Sequence, residues 1–522
     1  MRAPARGQVN GREVSRTYSL PAPVGGLNAR DSVANMPSDD AITLDNWFPR
    51  PTDVAVRNGY TSFATFTGLC KTVIVYNGVV ATKVFVAVDT TNDAIIDATS
   101  GGAISTPVVG GATPTVQAVT NAVFDYTNFG ATGGHFLSLV NGTDTAIEYD
   151  GSTWSTATLT HASLSGTDKL FTNAVFSERL WFGEKSTFNV YYTATRAKSG
   201  AMAQLPLASL FKLGGALNSI ITVTDATQTI ADYIGFLSTQ GELIVFSGDP
   251  AGSSWAKAAH FVLPRPVVSG MRAWVKYATD ALVLTTDGVI SLRNAIAQDK
   301  FDTGAKFSEK IRNAINLEVA SNGNKSGWGM VYHPTGTKLL INVPTASYSA
   351  ARQYVMNTQT NAWCRFTGWD WFHLAVTGDT LYAGASGMLA KADTGSSDDS
   401  SPIRFDGKQA FNYFGARARL KMVKLIRPVL ALNGTAQVAA HINTDFADVT
   451  ASSYQAIAGG SGDPWGEGMW SAAWQGGTTV NRVWRSAIGH GSAIAPRIEG
   501  QTEDVSLSWA ATDLAIEHGG AL

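Results

Sequence analysis

The segment Phe136–Trp154 reads FLSLVNGTDTAIEYDGSTW. An apolar run meets Asn141-Gly142, a second run follows, and Asp150-Gly151 turns the chain again before Trp154. Asn-Gly and Asp-Gly between strand-forming runs mark tight antiparallel hairpins, because glycine supplies the positive φ of the primed turns. The predicted unit is therefore a strand, a turn, a second strand ending in aromatics, and a looser connection.

Imperfect copies of this unit recur at Ala174–Thr193, Ile234–Gly248, Ala278–Asn294, Trp328–Val343 and Leu374–Asp393. Further turn pairs stand at Asn77-Gly78, Asp287-Gly288 and Asn433-Gly434. Six or seven units at a spacing of roughly 40–60 residues, close to propeller blade lengths, predict an all-β chain with a β-propeller-like body over 70–395. A series of β-sandwiches makes the same hairpins without closing a ring. One helix is expected, over Ser308–Ala320, with Ile311 and Ile315 on its apolar stripe and Ser308 as cap.

The body is flanked by a basic arm over 1–20 and a docking segment over 21–69. A Gly/Ser/Asp linker over 396–402 leads to a C-terminal β domain over 403–522, expected to be a sandwich. In that domain Arg417, Arg419 and Lys421 alternate with apolar residues, so one strand is expected to carry its charges on one face. This basic strand is a candidate for a lumen-facing or subunit-facing surface. Pro428 favours an edge or a bulge.

Only 15% of the 522 residues are charged, and the net charge is -2. A surface so weakly charged suits burial between subunits and argues against wholesale nucleic-acid binding. Two cysteines, Cys70 and Cys364, cannot build a disulfide framework, although a single bridge between them stays open. No secretory signal and no transmembrane run are read, so a soluble protein made in a reducing cytoplasm is expected.

Motifs for phosphate loops, zincin helices and esterase elbows are lacking, and the eight His lie scattered without metal-ligand spacing. No catalytic, cofactor or metal residues are therefore assigned, and the chain is read as a non-enzyme. Ser247–Trp255 is similar to the repeated turn of sialidase propellers with its Gly displaced by one, and reads better as a turn before an aromatic anchor. Asp393, Asp398 and Asp399 read as a solvated linker rather than a cation site. The tryptophan sets Trp363, Trp369, Trp371 and Trp465, Trp470, Trp474, Trp484, like Trp47 and Phe48, read as core or interface anchors.

The segment Pro21–Tyr60 carries Gly25, Gly26, Leu27 and Asn28, then Asp45, Asn46, Trp47, Phe48 and Pro49, then Arg57, Gly59 and Tyr60. In this order the motifs resemble the N-terminal signature of tail nozzle, or tail tubular, proteins of short-tailed bacteriophages. Tyr354–Gly368 and the closing Thr512–Leu522 look like the same family. The resemblance implies a structural virion protein, usually a ring of six copies, docked below an adaptor and portal and bearing tail fibres or spikes. It implies too that genomic DNA leaves non-specifically through the ring lumen. A glycan-binding or glycan-cleaving propeller of a phage tail is the alternative, and a plain adhesion or scaffold module is a third.

Overall fold

The computed structural model describes residues 15–224, 232–293, 307–458 and 479–521. The chain divides into two compact units. One comprises Asn58–Asn361 with Arg365–Gly395, the other Met1–Arg57 with Ala362–Cys364 and Ser396–Leu522.

The first unit is a β-propeller. Blade 2 is the meander Asp125–Ala131, Gly134–Val140, Ile147–Tyr149, Trp154–Thr156. Blade 3 runs Leu170–Phe176, Arg179–Glu184, Asn189–Tyr192, Ala203–Pro206, and blade 4 runs Leu217–Thr224, Asp232–Ser238, Glu242–Ser247, Ala256–Val262. Blade 5 has Trp274–Tyr277, Asp280–Thr285 and Gly288–Ser291, and blade 6 has Gly329–His333, Lys338–Ala346 and Ala350–Asn357. Blade 1 joins the two chain-distant ends of the unit. His373–Thr377 and Thr380–Ala392 pair onward to Tyr60–Asn77, Thr82–Asp89, Ala94–Asp97 and Pro107–Gly110. Each of the six repeats read from the sequence falls on a separate sheet.

From blade 1 through blade 5, facing sheets bury an apolar layer between neighbours. Ile74, Phe85 and Ile95 of blade 1 meet Leu137, Leu139 and Tyr149 of blade 2. Trp181 and Val190 of blade 3 meet Ile234, Phe236 and Ile244 of blade 4. The ring closes where Thr61–Leu69 pairs with Ser386–Lys391. There the approach is so close that a Cβ on Gly384 would lie 2.1 Å from Cys70 Sγ.

Three of the five predicted turn glycines, Gly142, Gly151 and Gly288, take positive φ; Gly78 and Gly434 do not. Asn433-Gly434 links strands of two different sheets, so Arg419–Leu432 and Thr435–Thr444 are not the neighbours their sequence suggests. The expected helix forms as a 3-10 turn, Glu309–Ile311, running into Arg312–Asn322, with Ile311 and Ile315 buried. Ser308 does not cap it; its hydroxyl accepts the Val289 N–H at 2.9 Å instead.

The second unit is a two-sheet β-sandwich. One sheet holds Trp47–Pro49, Val54–Val56, Leu507–Ala521 and Arg419–Leu432, with Arg16–Pro21 paired to Leu507–Ala521. The other holds Asp40–Asp45, Ile403–Gln409, Ile494–Thr502, Thr435–Thr444 and Gln455–Ala458. The segment expected over 21–69 as a separate docking element is thus split at Arg57/Asn58. Its first part completes the sandwich, and Tyr60–Leu69 belongs to blade 1. Of the arm expected over 1–20, residues 1–14 lie outside the described residues, and Arg16–Leu20 is strand. Pro428 pairs with Thr512 but lies between the residues that pair with Arg485–Gly491 and with Thr479–Asn481, next to a register shift at Val429/Leu430.

Candidate functional site

The innermost strand of every blade faces the propeller axis and lines a cavity of about 590 Å³. Its walls include Tyr126, Ala174, Thr222, Trp274, Met330 and Leu374, one from each of the six blades. A second cavity of about 570 Å³ follows along the unit, and Arg272, Gly327 and Trp328 line both. The Arg272 and Trp328 side chains stand where the cavities meet and form the floor of the first. Trp328 is fixed there by its indole N–H, which donates to Asn322 O at 2.9 Å.

Arg272 reaches the axis from the 3-10 turn Gly270–Ala273 before blade 5. Gly270 adopts φ +71°, and a Cβ there would sit 2.5 Å from Asp125 Oδ1, so only glycine lets the turn approach blade 2. The Met271 N–H then donates to Asp125 Oδ2 at 2.8 Å. Arg272 Nη2 donates to Lys71 O at 2.6 Å and Thr72 Oγ1 at 2.9 Å, which ties blade 5 to blade 1. Burial pushes the Asp125 carboxyl up to about 7. It drives the imidazole of His373, beside Arg272, well below its usual range, and His373 Nδ1 accepts the Val73 N–H at 3.1 Å. The Cys70 thiol is pushed up to about 12 by burial. Sequence reading passed over Arg272, Asp125 and His373, because three chain-distant elements bring them together.

Trp47, Phe48, Trp363, Trp369 and Trp371 are all buried. Trp47 packs its ring on Phe405 at 4.8 Å and on Trp509 at 5.9 Å. Trp369 contacts Phe366 and Trp371, and Trp371 meets Tyr60 edge-on at 4.8 Å. Trp484 carries the Arg427 guanidinium 4.6 Å over its ring. Trp465, Trp470 and Trp474 lie outside the described residues. In the sialidase-like turn, Trp255 stacks on Phe246 at 4.8 Å and on Trp181 at 5.8 Å, while Asp249 faces Arg179 at 3.3 Å.

The basic row does not form one face. Arg417 precedes its strand and donates to Ala34 O and Asn35 Oδ1, with its guanidinium over Tyr413. Arg419 is exposed, whereas Lys421 is fully buried and its ammonium donates to the carbonyls of Ala416, Arg419 and Ser492. Lys421 therefore shares the inward side with Val423, and Met422 is the exposed neighbour. Register shifts at Arg419/Lys421 and Val423/Leu425 break the simple alternation.

The three aspartates also part company, and Asp399 is the exposed one. Asp393 binds Lys338 at 2.8 Å, and Asp398 binds Arg57. Among the described residues no group of His, Cys, Asp or Glu has the geometry of a metal site, and both cysteines are free thiols.

The motif residues from Gly26 to Arg57 hold the sandwich together, while Gly59 and Tyr60 belong to the propeller unit. Gly26, at φ +84°, lies where a Cβ would be 2.6 Å from Trp363 O. Asn28 donates to Asp40 Oδ2 at 2.7 Å and accepts the N–H groups of Arg30 and Asp31. Asn46, left-handed at φ 58°, donates to Arg404 O and accepts from Arg57 Nε at 2.9 Å. Arg57 closes a two-pronged pair on Asp398, at 2.7 and 2.6 Å.

No protein-family model matches the sequence, and no curated protein does. Solved propeller structures are similar in fold. YCF48 bound to a D1 peptide is 10% identical, over 67% of this chain and 97% of that one, with a TM-score of 0.35. BBS1N in complex with ARL6DN is 12% identical, over 65% and 98%, with a TM-score of 0.35. A glycoside hydrolase family 43 arabinoxylan arabinofuranohydrolase from Bacillus subtilis is 10% identical, over 87% and 96%, at 0.27. Similarity at this level carries no argument about activity.

Proposed function

We propose that the chain is a structural virion protein of a short-tailed bacteriophage, a tail nozzle subunit acting by assembly and not by catalysis. One observation carries the proposal. Of the residues that bear the family resemblance, those from Gly25 to Arg57 and from Thr512 to Ala521 fall in one sandwich, whereas Gly59, Tyr60 and most of Tyr354–Gly368 belong to the propeller unit. Inside the sandwich the former occupy positions where substitution is costly: the strained Gly26 and Asn46, the buried Trp47, and the Arg57 pair with Asp398.

In this role copies associate head to tail and close by rotation into a ring, taken as a hexamer. Propeller blades give a stiff wall with few free edges. The axial cavity of each propeller holds only about 590 Å³, so the DNA passage lies between copies. The adaptor above, fibres or spikes around the ring and genomic DNA in transit are the partners, and the virion tail is the location.

A glycan-cleaving propeller would need two carboxylates about 5–9.5 Å apart on an open face. The lining of the 590 Å³ cavity contains no Asp or Glu, and Asp125 lies against the second cavity. The assembly role is tested by adding the purified chain to phage particles that carry the adaptor and lack this protein. Attachment at the neck is expected; particles that stay bare at saturating protein would refute the role.

A further inference from the structure

We propose that the axial cavity of the propeller binds a small organic anion with an aromatic or apolar body, held between Lys276 at its mouth and Arg272 at its floor and packed on Tyr126, Trp274, Met330 and Tyr332. The inference does not rest on the tail assignment, since the cavity lies within one propeller.

Size, charge and surface point the same way. A volume of about 590 Å³ falls inside the usual range for small-molecule sites, about 300–1,000 Å³. The lining contains two cations and no acidic side chain, so the field inside has one sign. Lys276 is exposed and makes no salt bridge among the described residues. Asp125 lines the other cavity and not this one. His373 stays uncharged because burial and Arg272 both disfavour its protonated form. Tyr126, Trp274, Met330 and Tyr332 are only half-buried, although most large apolar side chains of this unit are fully covered. A ligand body of the same diameter would cover them, and rings so placed favour a flat, anionic aromatic compound.

The test is a fluorescence titration of the full chain with 8-anilinonaphthalene-1-sulfonate, an aromatic anion, alongside the neutral N-phenyl-1-naphthylamine. Lys276→Glu, at an exposed position, is expected to weaken binding of the anion about tenfold and to leave the neutral probe unchanged. Val376→Trp, which fills the cavity from the blade 1 wall, is expected to abolish binding of both. The proposal is overturned if Lys276→Glu keeps anion affinity within about twofold of the parent, or if it weakens both probes equally. Should Val376→Trp fail to fold, the Lys276→Glu comparison decides alone.

Discussion

Replacing Trp47 by alanine probes the sandwich at its centre. The indole is fully buried, lies 4.8 Å from Phe405 and 5.9 Å from Trp509, and presses on the backbone at Gly407, where a Cβ would sit 3.0 Å from Trp47 Cδ1. Its Nε1 makes no hydrogen bond among the described residues, so the loss is one of packing. Large-to-small changes of an aromatic in a core cost about 3–5 kcal/mol, including the cavity left between rings that cannot collapse onto each other. A chain of two units has no single unfolding free energy, so the readout must be local. Hydrogen exchange measured by mass spectrometry reports protection strand by strand. With a loss of about 4 kcal/mol, peptides covering Ile403–Gln409 and Leu507–Ala521 should exchange about a thousandfold faster through global opening of the sandwich. Propeller peptides such as Leu170–Phe176 should keep their protection. Exchange in the sandwich within about tenfold of the parent would refute the packing account, and equal loss in the propeller would refute separate stability of the two units.

Other perturbations reach the remaining parts. Gly384→Ala should destabilise the propeller by about 2 kcal/mol or more through its contact with Cys70, and adding Cys70→Ala should restore most of the loss; thermal melts of the two variants check this. Arg57→Ala leaves the Asp398 carboxylate without its two-pronged partner and should cost about 3 kcal/mol, read as a lower urea midpoint for the sandwich. Asp125 is raised from 3.8 to about 7 in the folded state, so between those values the unfolded chain ionises while the folded one does not. Stability therefore falls as pH rises from about 4 to about 7, by about 4 kcal/mol from this one group. Asp125→Asn should remove that fall, seen as a parent-minus-variant difference in urea midpoint that declines across the window.

Sequence reading located the blades because each hairpin is local: two strands and the turn between them stand within twenty residues or so. Blade 1 was only half legible, since Tyr60–Leu69 pairs with residues more than three hundred positions away, and no local pattern announces such a partner. The same holds for the sandwich, where Trp47 and Trp509 meet from opposite ends of the chain. The misplacement of Lys421 has a different cause, because a register shift separates it from Arg419, and bulges leave little trace in an alternating pattern. The axial cavity left one sign in the sequence, a glycine before Met271 and Arg272. Only the structure shows that Gly270 is needed for close approach to Asp125.

Electron microscopy of the purified chain, alone and mixed with lysate of phage-infected cells, tests the assembly claim most directly. Closed rings, or particles added to the base of a capsid neck, are the predicted result. Isolated monomers in both samples would contradict it.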